Sequence, residues 1–564
     1  MHDTALTMVK DVNMYVDRNF VVKEKQKDIY TMGQIHFKKY ILRDSNVYPR
    51  FISFMLDKIN EERNGEKIQR EALRDAVFIL LELGFGTQNV YKKDFEHSFL
   101  EKSHEFYNNE AMEKIVDHSA IEYLQVVQRR LEEEQERCLD FMIEETKRPL
   151  IKRVLSSMIE NHANTIILKP NSGLSTMINL NQYNGINLMF KIFSQVSSAK
   201  KLFETFLVET VTKDCLKITK DESIMNNPKD FVDRWIEAKQ KYNVIIEQSC
   251  ERDIDLGLAI KRAFENALAD FSSSSIFLAK YIDLKMKKDI KTLKDEEVSI
   301  LFDQIMDIFR LLTDKDEFEG FYRNNLTKRL LNNLSSNDEA EKMMISKLKV
   351  ECGFQYIHKL ETMLKDMTLS EGLHQKFKSS QISQDIVFDF NIKVLTTGNW
   401  SNDSQTASCS IPMEIKGAIL NFTDFYMNSH SGRILTWKIN FGNADIVKYQ
   451  EESPNYEMTV SGYQMVVLLL FNTNEKLSIK ELKNLSGIDP DYEFKRHVLS
   501  LLKFKILVKN TKEFDLKDDD MIKVNEKFKY KLHKFKVPLL NQKGKPSQWF
   551  PASGSPILLW FISF

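Results

Sequence analysis

The sequence predicts a mainly α protein: an elongated stack of helical units, then a globular end with a helical bundle, a small α/β sheet and a last α/β unit. Three observations carry this. Gly 18 and Pro 11 make up about 5% of 564 residues, where average usage is about 12%, so connections are short and helices long. The 3.6-residue apolar period persists to about residue 380, and alternation of period two appears only after it. The length is too great for one hydrophobic core and suggests about four structural units.

The first helical signal of good quality is Ser119-Ala120-Ile121-Glu122, a capping box in which hydroxyl and carboxylate each take an orphan backbone N–H. It opens a helix with Ile121, Leu124, Val127, Leu131, Cys138 and Met142 on one face. Arg129, Arg130, Glu132, Glu133 and Glu134 are expected on its solvated face. Breaks are predicted near Gly84-Phe85-Gly86, Pro149, Pro170 to Gly173 and Asn226-Asn227-Pro228. No strict short period appears, so a loose stack of multi-helix units is expected rather than a regular array. Another capping box is predicted at Ser336-Asn337-Asp338-Glu339.

The texture then changes. Ile386 to Leu395 alternates, with Phe388, Phe390, Ile392 and Val394 on one side and Asp389, Asn391 and Lys393 on the other, which predicts a half-buried strand. Arg433 to Trp437 and the Gly442-Asn443 turn suggest a further strand pair. From 458 to 537 an apolar helix (Tyr463 to Phe471) precedes a capped helix at Ser478-Ile479-Lys480-Glu481. Gly487 ends that helix, and another runs from Tyr492 to Phe504. Two β-prone segments follow, Lys505 to Val508 and Met521 to Val524. Three helices and a two-stranded wing form a winged-helix pattern.

The chemistry is as informative as the pattern. Lys+Arg 80 against Asp+Glu 81 leaves a net charge of -1, so no global field draws the chain to nucleic acid or acidic lipid. The five cysteines, Cys138, Cys215, Cys250, Cys352 and Cys409, are scattered. Neither C-x-x-C nor H-x-x-x-H occurs, so no metal and no cofactor is expected. The start carries no signal-peptide pattern, and a reducing compartment, cytoplasmic and nuclear, is the expectation. Pro556 to Phe564 is about half the length that spans a bilayer, so no membrane partner is expected. There is no G-x-S-x-G, H-E-x-x-H, Walker loop or G-x-G-x-x-G, and His358 and Cys352 read as packing residues. These absences predict a protein that binds and positions others rather than an enzyme. The helix with Asp491, Glu493, Lys495, Arg496 and His497 could read DNA, but its acidic start suits a phosphate surface poorly. The basic strip Lys523, Lys527, Lys529, Lys531, Lys534 and Lys536 is either a solvated face or an attractor of an acidic partner.

Lys315 to Tyr322 (KDEFEGFY) with Arg323 to Leu331 (RNNLTKRLL) resembles the signature of the cullin homology domain. So do Met344 to Lys349 with Glu351-Cys352-Gly353, Lys359-Leu360-Glu361, Lys365-Asp366-Met367, Val394 to Gly398 with Trp400, and His430 to Arg433, all in order. Met14 to Arg18, Asp94-Phe95-Glu96 with Phe99-Leu100, and Asn171 to Leu174 resemble parts of the three cullin repeats. Val460-Ser461 with Gln464-Met465 and Leu470 to Asn472 resembles the start of the family's first winged helix. The resemblance covers residues 2 to about 538 and is nearest the class that pairs with BTB-domain adaptors.

The resemblance implies the last helix of cullin repeat 1 at 1–22, repeat 2 at 23–150 and repeat 3 at 151–295. It implies the helical bundle of the cullin homology domain at 296–380, the α/β sheet at 381–457, winged helix A at 458–538 and a divergent tail at 539–564. It implies a non-catalytic scaffold of a multisubunit RING-type ubiquitin ligase serving ubiquitin-dependent protein degradation. A BTB-domain adaptor would contact Asp11 and Tyr15. Met8 and Met14 flank these at helical spacing and are expected in the core of the repeat. A RING-box protein, which recruits the ubiquitin-conjugating E2, would add a strand to the sheet containing Phe388, Asp389, Phe390, Asn391, Ile392, Lys393, Val394 and Leu395. The earlier helices of repeat 1 and the segment with the neddylation lysine have no counterpart, so no neddylation site is assigned. Lys543 and Lys545 sit in a Gly/Pro context. The stretch between Asp445 and Met458 is short for the class, which predicts a trimmed loop. Residues from about Asn541 onward read as non-family sequence, such as intron or frame-shifted translation. The rival readings are a winged-helix nucleic-acid-binding protein and a non-productive truncated cullin.

Overall fold

The computed structural model describes residues 2–21, 23–24, 27–42, 47–224, 226–400, 408–448, 455–510, 515–540 and 557–563. The chain divides into two compact units, Met1–Lys217 with Ala238–Ala267, and Ile218–Glu237 with Leu268–Phe564.

The first unit is helical among its described residues. The capping box at Ser119 forms as expected: the Glu122 N–H donates to Ser119 Oγ (3.3 Å) and the Ser119 N–H to Glu122 Oε2 (2.8 Å). The helix Ala120–Phe141 that follows buries Leu124, Val127, Leu131 and Cys138. Its charged stretch is not uniformly solvated, which corrects the sequence reading. Arg129 and Glu132 are exposed, but Glu134 is fully buried. The helical period explains this, because 134 is three residues from Leu131 and four from Cys138, on the apolar face. Its carboxylate is compensated there. Arg63 Nε donates to Glu134 Oε1 (2.9 Å), Arg63 NH2 to Oε2 (3.1 Å), Arg137 NH1 to Oε1 (2.6 Å), and the Tyr107 hydroxyl also donates. Burial opposes the charge of Glu134, yet the Arg63 and Arg137 guanidiniums hold its carboxyl below the ordinary value. A break at Pro149 is also corrected. The chain breaks at Met142-Ile143, and Pro149 lies inside the helix Glu144–Leu155. The expected break at Asn226-Asn227-Pro228 agrees with a helix that begins at Pro228, where the missing N–H costs nothing.

The second unit contains a helical bundle, Ser274–Lys287, Asp295–Phe309, Lys315–Leu331, Asp338–Cys352 and Phe354–Lys378. The cap of the fourth helix falls one residue later than predicted. Asn337 Oδ1 accepts the Glu339 N–H (2.8 Å), and the Ser336 N–H donates to the Met286 carbonyl. The bundle holds a second buried ion cluster. Arg329 donates to Glu341 Oε1 (2.7 Å) and Oε2 (3.0 Å) and to Asp283 Oδ1 (2.8 Å), and Ser335 also donates to Glu341.

Among the described residues nine strands follow: β1 Asn391–Thr396, β2 Ile434–Lys438, β3 Asn443–Lys448, β4 Tyr456–Ser461, β5 Leu477–Ser478, β6 Leu507–Lys509, β7 Met521–Val524, β8 Lys534–Lys536 and β9 Ile557–Ser563. They form three sheets, ordered β1-β9-β2, β3-β4-β8 and β5-β7-β6. The expected pairing of the 433–437 strand with the one after Gly442 does not occur. A 3-10 turn at Ile439–Phe441 redirects the chain, and Gly442 accepts the Gly462 N–H (2.7 Å), so β3 joins β4 in another sheet. The winged helix is as predicted, with helices Gly462–Leu469, Ile479–Ser486 and Asp491–Lys503 and the β6-β7 wing. Gly487 ends its second helix at φ 57, a left-handed conformation that glycine adopts without steric cost. The trimmed loop expected between Asp445 and Met458 falls in part on 449–454, outside the described residues, as do Lys543 and Lys545.

Candidate functional site

The residues that the resemblance points to lie on two elements, one in each unit. In the first unit, the helix His2–Val12 continues through Met14–Val16. Met8 and Met14 are 63% and 41% exposed, so they are surface residues and not core, contrary to expectation. Val12 and Tyr15 stand out further, at 83% and 79%. Residues 8, 12 and 15 share one helical face, with exposed Asp11 beside them. An apolar stripe with an aromatic and a carboxylate has the form of a helix-docking surface.

In the second unit, β1 is the element on which the sequence reading centred. The strand is shorter than predicted. Phe388, Asp389 and Phe390 precede it, because the pairing register starts at Asn391. Phe388 is exposed and meets Phe390 edge-on, while Phe390 is buried against Trp437. Nor is β1 half-buried: Ile392 to Leu395 are all buried, Lys393 included. Alternation marked Lys393 as polar and hence solvated, but its ammonium has three acceptors inside. Lys393 Nζ donates to the carbonyls of Leu330 (2.8 Å) and Leu331 (3.0 Å) and to Asn333 Oδ1 (2.8 Å). These are the last carbonyls of the helix Lys315–Leu331, where a cation is favoured. Burial pushes the Lys393 ammonium down to about 7.

The helix Phe354–Lys378 covers one edge of β1 with side chains. Ser370 Oγ accepts the Val394 N–H (2.7 Å) and donates to the Val394 carbonyl (2.6 Å). Asp366 accepts the Thr396 N–H (2.8 Å), the Thr396 hydroxyl (2.9 Å) and Trp400 Nε1 (2.9 Å). Sequence reasoning quoted Asp366 as part of a motif but missed both roles. The available signal was the i, i+4 spacing of Asp366 and Ser370, which puts two hydrogen-bonding side chains on one helix face.

The last helix of the winged unit is largely engaged within the chain. Lys495 pairs with Asp491 (2.9 Å), Arg496 Nε donates to the Leu540 carbonyl (2.8 Å), and His497 is buried. This leaves His497 unable to reach DNA. Its Nδ1 lies 2.7 Å from the Glu493 carbonyl, and burial pushes its pKa down to about 4. The unfolded chain therefore binds a proton below the ordinary value of 6.5 that the folded one takes only near 4. Acidification through that window is expected to lower the melting temperature of the winged unit. His497→Gln is expected to abolish this slope, as pH-series thermal melts can check. Of the basic strip, Lys523, Lys527, Lys529 and Lys531 are exposed, Lys534 pairs with Glu457, and Lys536 is half-buried.

Among the described residues no group of three or more His, Cys, Asp and Glu could hold a metal ion, and no helix is long and apolar enough to cross a membrane. Burial pushes the thiols of Cys138, Cys215 and Cys250 up to about 12, which leaves them unreactive. His358, expected to pack, is exposed beside the Phe354 ring.

A long run of helices followed by mixed sheets and a winged helix places the chain in the class of helical-repeat proteins with an α/β end. The chain belongs to the cullin family: the cullin alpha solenoid domain matches residues 1–374 and the cullin alpha+beta domain residues 394–528. It is 34% identical over 503 residues to Cullin-3 of Dictyostelium discoideum, covering 89% of this chain and 65% of that protein. It is 31% identical to Cullin-3A of Arabidopsis thaliana over 95% of this chain and 73% of the relative. Cullin-4A of Mus musculus is 32% identical over 96% of this chain and 70% of its own length. The chain thus spans about two thirds to three quarters of these relatives.

Proposed function

We propose that the chain is the scaffold subunit of a cullin-RING ubiquitin ligase, acting in the cytoplasm and nucleus. A BTB-domain adaptor docks on the exposed helical face with Asp11 and Tyr15. A RING-box protein with its E2 joins the sheet that contains β1. The chain performs no covalent step. It holds the substrate's adaptor and the E2 on one molecule, so the substrate lysine meets the E2 thioester at raised effective concentration.

The observation that carries this reading is β1 itself. It is anchored on one edge by Ser370 and Asp366 and from below by Lys393, and its other edge pairs with the strand Ile557–Ser563, so it is an edge that accepts an added strand. The similarity to Cullin-3 proteins supports the choice of adaptor class.

The test is surface-immobilised full chain against purified RING-box protein, BTB adaptor and duplex DNA. Binding of the first two without salt-sensitive DNA retention supports the scaffold, and DNA retention without RING-box binding sinks it. Tyr15→Ala is expected to weaken adaptor binding by about tenfold, the usual loss for an exposed aromatic anchor, while RING-box binding stays unchanged.

A further inference from the structure

The order β1-β9-β2 separates two strands that do not touch each other. β9 runs parallel to β1 with Lys393 opposite Leu559 and Leu395 opposite Phe561, and antiparallel to β2 with Trp437 opposite Trp560. At ordinary spacing, β1 and β2 are therefore about 9.5 Å apart, the width of a slot for one strand.

The main chain of β1 says which way the slot opens. In a strand the N–H and C=O of one residue point to the same side, and the side alternates along the chain. Both groups of Val394 are taken by Ser370 and the N–H of Thr396 by Asp366, so even-numbered residues face the helix Phe354–Lys378. Lys393 and Leu395 then face β9. Without β9 their main-chain groups would lack strand partners, an unstable arrangement in a strand buried from Ile392 to Leu395.

The segment that fills the slot suits it. Ile557 to Ser563 (ILLWFIS) carries no charge and no proline, and its residues favour strands. We propose that Ile557–Ser563 is an autoinhibitory strand: it occupies the β1-β2 slot of its own chain and must leave before a partner's strand can add there. The competition half of this inference rests on the scaffold reading above; the occupancy half does not. A slot filled by its own chain lowers the apparent affinity for an incoming strand in proportion to the fraction of molecules left open.

The test uses the full chain and the variant L559P/F561P, in which proline removes two ladder N–H groups. A second variant lacking 541–564 guards against misfolding by the prolines, with the unfolding profile of the helical unit as control. Two quantities are read: hydrogen exchange at the Lys393 and Leu395 amides, and affinity for purified RING-box protein. The expected result is fast exchange at both amides in both variants, with RING-box affinity raised by about tenfold or more, which corresponds to a slot nine-tenths closed in the intact chain. Unchanged exchange in both variants overturns the occupancy. Lost protection with equal RING-box affinity overturns the autoinhibition. Lost protection with no RING-box binding to any form upholds the strand in its slot and refutes the scaffold reading instead.

Discussion

Replacing Glu134 with alanine is expected to cost the first unit about 3–5 kcal/mol of stability, the range for breaking a buried ion pair by removing one partner. The side chains of Glu134 and Arg63 are 0% and 1% exposed, and that of Arg137 is 4% exposed. Removing the carboxylate takes the charged partner from Arg63, leaves Arg137 to Glu62 and Glu133, and leaves the Tyr107 hydroxyl without its acceptor. Hydrogen exchange of the helices Val47–Arg63 and Ala120–Phe141 in rising urea would report the loss. Glu132→Ala, two residues away on the exposed face, is expected to stay within about 0.5 kcal/mol. The pH dependence has a definite sign. The folded carboxyl titrates below its ordinary 4.5, so the contribution is present above that value and is lost as pH falls through the folded one.

Replacing Arg329 with methionine is expected to have an effect of the same size, about 3–5 kcal/mol, and to reach further. Arg329 and Glu341 are 0% exposed and Asp283 7%, so two carboxylates would remain buried without their fork-shaped partner. Arg329 is the residue before Leu330 and Leu331, whose carbonyls hold Lys393. Loosening that helix end releases the anchor of β1. Faster deuterium uptake across Asn391–Thr396 is therefore expected in Arg329→Met, along with weaker RING-box binding. Unchanged uptake there would show that the ion cluster and β1 are uncoupled.

These two clusters show where reading the sequence stopped. The helices were legible because their caps and periods are local: Ser119 with Glu122, and Ser478 with Glu481, form as spacing requires. Charge was misread wherever a residue's partner lies far along the chain. Arg63 and Glu134 are 71 residues apart, and Lys393 is 60 to 63 residues from its acceptors. Alternation places a lysine on the polar side of a strand, and only the packed helix end reveals that this side is also interior. The same limit applies to Met8 and Met14, whose helical spacing suits a core and an exposed docking face equally well.

By itself, the sequence determined the class of fold, the winged helix and the family, because propensity, capping and ordered motifs are written in neighbouring residues. It also identified the strand around 391–395 as the place to look. Only the tertiary structure decided what that strand touches: Ser370 and Asp366 on one edge, the Lys315–Leu331 carbonyls beneath, and Ile557–Ser563 on the other edge. Strand pairing uses main-chain groups that every residue carries, so no side-chain pattern records which partner a strand will take.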